Sequence, residues 1–323
     1  MTATFPAPAP AASPAPGPAL NIRAAFASIS VALMLLGMKA WAVWTTGSTA
    51  MLGSLADTTL DLFASLATLA GVWVAAQPAD AEHRFGHGKA EALAAMFQVV
   101  LISISAFGLA ARAIQQWVAG GRTAAAQDGI VISAIALAAT LALLAYQRSV
   151  MARTQSVAIA TDYVHYQSDL FLNLAVIAAL ALDQYGGIAG ADPLFALAIA
   201  AWLGWGAWRA SQTAIEQLMD REWPEAKRQR FVEIAARHPE LERLHDLRTR
   251  TSGMRDFVQF HVDLPGSMTV DQSHAIIERV ELALCRAFPN MDLLIHIDPA
   301  GHIDDPGNSL IEQDEFGKRE DTK

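Results

Sequence analysis

Hydrophobic residues run in long blocks through the first two-thirds of the chain and alternate with polar ones only in the last third. Six blocks approach the roughly 20 residues that a helix needs to cross a bilayer. Their cores fall near residues 24–44, 49–74, 92–111, 130–145, 157–182 and 194–208. The fourth and sixth are short, and 129–146 and 193–211 extend them. The pattern predicts a polytopic α-helical membrane protein with six transmembrane helices over 22–215. Beyond this the period changes. Residues 224–237 have helical spacing, with Pro224 at a first-turn position. Residues 244–250 and 256–264 alternate as strands around a turn at 251–255, residues 270–288 are helical again, and 292–298 form a last strand. The order αββαβ predicts an α+β domain over 216–299, one sheet with two helices on one face. An Ala/Pro-rich segment over 1–21 and a polar one over 300–323 are expected to be disordered tails. The first lacks the basic start and compact apolar core of a signal peptide.

Charge follows the same division. Of 23 Lys and Arg, 14 lie at or after Asp220, as do 21 of the 32 Asp and Glu. The net charge of −9 includes no basic stripe, which argues against nucleic acid as a partner. Arg23, Arg84, Lys89, Arg148 and Arg153 fall on one side of the expected bilayer, and of Lys and Arg the opposite loops hold only Arg122. Both termini should therefore be cytoplasmic. Trp41, Trp44 and Trp117 sit near the other ends of their helices, as interface anchors would. The single cysteine, Cys285, excludes an intramolecular disulfide and is expected as a buried small apolar residue.

Ionisable residues inside the apolar blocks are the strongest chemical signal. A charged side chain at bilayer depth costs at least ~2.5–3.5 kcal/mol. Asp57 and Asp61 lie four apart in the second block, and His165 and Asp169 lie four apart in the fifth. Residues i and i+4 share a helix face about 6 Å apart along the axis. Two helices can thus present three carboxylates and one imidazole to a single point, a tetrahedral ligand set for a divalent metal. Three anions in low dielectric repel, so metal entry should displace protons. Asp162 lies one turn before His165, either as a partner of that imidazole or, the favoured expectation, at the cytoplasmic mouth.

Two further clusters follow. Asp80, His83 and His87 share a loop at 77–89, where Gly86 and Gly88 permit tight bends; a solvated loop with idle histidines fits the same residues. In the last third, His245, His261, His274 and His296 fall on expected regular elements, and His296 shares a strand face with Asp298. Hydrolytic and nucleotide chemistry find no support, because no Gly-rich phosphate loop follows a strand and no exposed triad is suggested.

These residues resemble the cation diffusion facilitator family, in particular its bacterial zinc/iron efflux branch. The resemblance runs from about Ile22 to Pro299. It rests on Leu55-Ala-Asp-Thr-Thr-Leu-Asp61, Gln77-Pro-Ala-Asp80, Phe85-Gly-His-Gly-Lys-Ala-Glu91, His165-Tyr-Gln-Ser-Asp169 and His245-Asp-Leu-Arg-Thr-Arg250. It implies a homodimer in the bacterial inner membrane, with a cytoplasmic ferredoxin-like domain. It also implies a transport site of Asp57, Asp61, His165 and Asp169, a loop site of Asp80, His83 and His87, and a soluble-domain site of His245, His261, His274, His296 and Asp298. Lys89 and Asp220 match an interlocking charge pair near the membrane surface. Ile297 departs from the pattern, standing where a polar residue is expected.

The resulting expectation is a transporter, not an enzyme, that exports divalent metal in exchange for protons. An imidazole in the set argues against magnesium and calcium. Zn2+ fits best, with Cd2+, Fe2+, Co2+ and Ni2+ compatible. A membrane-anchored metal sensor is the alternative, disfavoured because a sensor needs no costly ligands at bilayer depth. A passive channel is disfavoured because permeation needs easy release.

Overall fold

A computed structural model describes residues 17–46, 49–118, 130–186, 191–239, 241, 243–301 and 314–316. Six long helices come first: α1 (Gly17–Thr46), α2 (Thr49–Ala75), α3 (Ala90–Val118), α4 (Ile130–Thr154), α5 (Val157–Gly186) and α6 (Ala191–Leu218). Each apolar block has become one helix, and most run past the predicted cores. By length and composition, the spans Gly17–Thr45, Asp57–Ala75, Ala90–Val118 and Ile135–Thr154 can cross a membrane. Helices α5 and α6 match them in length, at 30 and 28 residues. The outward faces are apolar, with Phe107 82% and Trp205 60% exposed, as lipid-facing surfaces are. The inward faces are small: Ala24, Ala25, Ala92, Ala95, Ala158 and Ala214 are all fully buried. Small residues let helix backbones approach closely where no hydrophobic force drives helices together in lipid.

The first helix takes in residues 17–21, which were expected to belong to the tail. Pro18 sits in its first turn, where the missing N–H costs nothing. Asn21 is buried and donates Nδ2 to Glu91 Oε1 at 3.1 Å, tying the helix start to α3.

The last third forms α7 (Glu225–Ala235), β1 (Leu244–Ser252), β2 (Arg255–Leu264), α8 (Val270–Ala287) and β3 (Met291–Pro299). This is the αββαβ order of the sequence pattern. The sheet order is β1-β2-β3, antiparallel then parallel. Phe231 of α7 and Ile277, Val280 and Leu284 of α8 pack with Leu244, Val258, Phe260 and Val262 in one core. Thr269 starts α8 with a reciprocal capping box to Gln272. Residues 314–316 return to this domain: the Glu315 N–H donates to the Leu244 carbonyl at 2.8 Å, Glu315 pairs with Arg228, and Phe316 packs on the core. Cys285 is half-buried on α8, and burial pushes its thiol up.

The loop before α3 docks on the β1–β2 turn. Phe85 meets Phe257 edge-on at 5.7 Å, and the Arg250 guanidinium lies over both rings, at 5.0 and 4.4 Å. Gly88 lies against the backbone of Ser252 and Gly253, and Gly253 adopts φ +59°. Neither position has room for a Cβ without backbone displacement.

Candidate metal sites

Helices α2 and α5 bring three of the four intramembrane groups together. His165 Nε2 lies 2.9 Å from Asp61 Oδ1 and 4.0 Å from Asp169 Oδ2. One ligand atom of each lies within 4.8 Å of the others. His165 is buried, while the Asp61 and Asp169 side chains are 19% and 35% exposed, so the trio opens on one side. Asp57 differs from the expectation. It is exposed, stands outside this group and pairs with Arg112 of α3, Nη1 to Oδ2 at 3.6 Å. A third carboxylate beside Asp61 and Asp169 would meet repulsion, whereas the guanidinium offers attraction.

Arg112 and Lys39 are cations that the sequence reading passed over. The Lys39 ammonium donates to Thr58 Oγ1 at 2.5 Å, between Asp57 and Asp61 in sequence, and acts electrostatically on Asp169. The signal was available, since Lys39 interrupts an apolar run as plainly as the acids do.

Asp162 does not lie at a mouth. It is fully buried and accepts hydrogen bonds from three helices: Ser28 Oγ of α1 at 2.6 Å, Gln147 Nε2 of α4 at 2.7 Å and Gln98 Nε2 of α3 at 3.0 Å. One carboxylate thereby draws polar groups from three neighbouring helices to one point, which sequence spacing did not reveal.

In the loop, Asp80, His83 and His87 form a compact group as expected. Asp80 lies 3.3 Å from each imidazole, and the two rings are 4.5 Å apart. The His83 backbone N–H donates to Asp80 Oδ1 at 2.6 Å and holds that carboxyl below the usual carboxylate range. His87 Nδ1 is buried without a hydrogen-bond partner among the described residues.

Strand register builds the third cluster. His245 is opposite His261 across the antiparallel pair, and His261 is opposite His296 across the parallel one. Three imidazoles therefore stand side by side across the sheet, with Asp298 at their centre. Its Oδ2 lies 2.9 Å from His261 Nδ1 and 3.5 Å from His245 Nε2, and its Oδ1 lies 3.4 Å from His296 Nε2. Burial, reinforced by the Arg243 guanidinium, holds the His245 imidazole below its ordinary value, in the neutral form a metal requires. His274 is exposed on α8 and is not part of the compact group of His245, His261 and Asp298. Ile297, opposite Val262, supplies no ligand.

Lys89 and Asp220 meet within one chain, Nζ to Oδ2 at 3.0 Å. Asp220 also accepts from Arg250 at 3.3 Å and takes a left-handed φ of +56° just past α6. The pair links the start of α3, the end of α6 and β1.

Two family descriptions match the chain: "Cation efflux transmembrane domain" over residues 25–219 and "Cation efflux protein, cytoplasmic domain" over 223–300. The chain is similar to the cation-efflux pump FieF of Cronobacter sakazakii and of Klebsiella pneumoniae, each 44% identical over 281 residues, 87% of this chain and 93% of the relative. The FieF of Escherichia coli O1:K1 / APEC is 41% identical over the same shares. The chain belongs to the cation efflux family. Among solved structures, the zinc form of CzrB is 32% identical, with 27% of this chain and 99% of that one covered and a TM-score of 0.24. The metal-bound C-terminal domain of the CzcD transporter from Thermotoga maritima is 19% identical, with 25% and 100% covered and a TM-score of 0.24. Membership of the family makes this chain a membrane transporter that carries metal cations outward.

Proposed function

We propose that the chain is a proton-coupled exporter of zinc-type divalent cations, acting by alternating access as a homodimer in the bacterial inner membrane. The observation that carries this reading is the part-buried bond between His165 and Asp61, with Asp169 alongside, inside apolar helices. An imidazole and two carboxylates at that depth are costly unless they bind a cation. Asp57, one turn from Asp61, completes four ligands when it leaves Arg112. Metal captured from the cytoplasm displaces protons from these groups, and protons arriving after reorientation compete it off again. One neutral nitrogen with carboxylate oxygens favours Zn2+, with Fe2+, Cd2+, Co2+ and Ni2+ able to compete.

The soluble-domain histidines and Asp298 have the donor chemistry of resident Zn2+ sites, and the loop trio offers a third position. Metal held there would tie elements of the soluble domain and the loop together and favour the dimer. The Lys and Arg distribution supports a cytoplasmic position for both termini.

Zinc uptake into proteoliposomes under an imposed pH gradient tests the reading, with wild type compared against Asp61→Ala. Gradient-dependent flux that the substitution abolishes is expected. Zinc binding without flux, unchanged by the substitution, would instead make the soluble-domain cluster the functional site and the protein a sensor.

A further inference from the structure

Asp162 is a buried carboxyl that the metal trio does not use. The partners it draws from other helices are neutral: the Ser28 hydroxyl and the amides of Gln98 and Gln147. On its own helix the titratable neighbours are His165 and Tyr166. No Lys or Arg bonds to it among the described residues. A carboxylate meant to stay ionised at such depth is normally given a cation, because breaking or omitting that pair is strongly destabilising.

Ser28 can serve Asp162 in either state. Ser28 Oγ lies 2.6 Å from Asp162 Oδ2 and 3.2 Å from the Ala24 carbonyl, and its single hydrogen can serve only one of them. With Asp162 ionised, Ser28 donates to the carboxylate. With Asp162 protonated, the carboxyl donates to Ser28 Oγ, and Ser28 donates to Ala24. Gln147 Nε2 also reaches Ser28 Oγ at 3.0 Å. Gln98 Oε1 and Gln147 Oε1 are both buried without a donor among the described residues. Rotation of the Gln147 amide would offer its oxygen to a carboxyl protonated on Oδ2, an acceptor that only the protonated form employs.

The shell also reaches residues that neighbour the transport trio in sequence. Tyr166 Oη donates to the Ser28 carbonyl at 3.1 Å and bonds Ser65 Oγ at 2.9 Å. Ser65 lies one turn beyond Asp61 on α2, and Tyr166 follows His165 on α5. Ser28, Gln98, Gln147 and Asp162 each come from a different helix, so movement of α3 away from α1, α4 and α5 would remove one donor and admit water.

We propose that Asp162 is a proton-binding site of the transport cycle, separate from the metal ligands. In the packed arrangement the proton resides on Oδ2, shared with Ser28 Oγ. When α3 separates, water takes the proton from Oδ2 and leaves a hydrated carboxylate. No bond to carbon changes and no electron moves. This inference rests on the antiport reading above.

The test is the number of protons moved per zinc in proteoliposomes, read with an internal pH dye, for wild type and Asp162→Asn. Asparagine keeps the shape, accepts from one glutamine and donates to Ser28, but has no titratable proton. The expected result is one proton fewer per zinc in the variant, with zinc affinity within about twofold of wild type. An unchanged ratio overturns the proposal alone. Zinc flux without proton movement in wild type overturns the antiport reading and this proposal with it. If the variant fails to fold, infrared difference spectra of wild type and Ser28→Ala serve instead. A protonated-carboxyl band that shifts when Ser28 loses its hydroxyl is expected, and its absence or insensitivity to the substitution overturns the assignment.

Discussion

In the proposed transport cycle, Arg112 would compete with metal for Asp57. The pair is a 3.6 Å contact, and the ~0.2–1 kcal/mol of a water-exposed ion pair is its lower bound at membrane depth, where screening is weaker. Replacing Arg112 with Gln should raise zinc affinity at the transport site by at least about 1.4- to 5-fold, the same energy expressed as a ratio. Calorimetry in detergent on a variant lacking the loop and soluble-domain histidines would measure it, and an unchanged or lowered affinity counts against competition. His245 makes a second prediction, on pH. Its folded-state value is held below the unfolded one, so the unfolded chain binds more protons once the pH drops below about 6.5. Stability of the metal-free soluble domain should be full above that pH and fall as acid is added. Hydrogen exchange in β1–β3 of the whole protein would report it, and His245→Gln should flatten the dependence.

The elements were the most legible level of the molecule. Long apolar blocks became α1–α6, and the change to period-two alternation became β1–β3, because both signals are local. What joins the elements was less visible. Gly88 and Gly253 touch where the loop before α3 meets the β1–β2 turn, and a Cβ on Gly88 would strike the Ser252 carbonyl. Gly88→Ala should therefore lift the loop from the turn at a cost of about 1–3 kcal/mol, the range for overpacking a tight contact. Faster exchange of residues 77–89 and 250–256, with reduced zinc flux despite an intact transport trio, is the expected outcome. Unchanged exchange would show that the loop accommodates the methyl group elsewhere.

At the scale of the whole molecule, Lys89 and Asp220 connect the membrane helices to the soluble domain. The side chains are each 38% exposed, so the pair is worth little as an isolated surface bridge. Its importance lies in position, since Arg250 converges on the same carboxylate. Lys89→Asp should lower zinc flux and the dimer fraction, and adding Asp220→Lys should restore part of both. Restoration stays partial because the introduced ammonium would face Arg250. Equal loss in the single and double variants would mean that the two residues act separately.

The amino-acid sequence by itself determined the membrane class, the αββαβ domain and the spacing of the acidic and histidine pairs. These depend on residues within a few turns of one another. Tertiary structure decided which groups meet. Helix rotation left Asp57 with Arg112 and put Asp61 beside His165. Strand register set His245, His261 and His296 abreast, while His274 stands apart on α8. Packing of α1, α3 and α4 against α5 buried Asp162 among Ser28, Gln98 and Gln147, residues separated by up to 134 positions in the chain. Spacing along one element fixes which side chains share its face, but not the direction in which that face turns. That direction follows from burial summed over all the helices and strands at once.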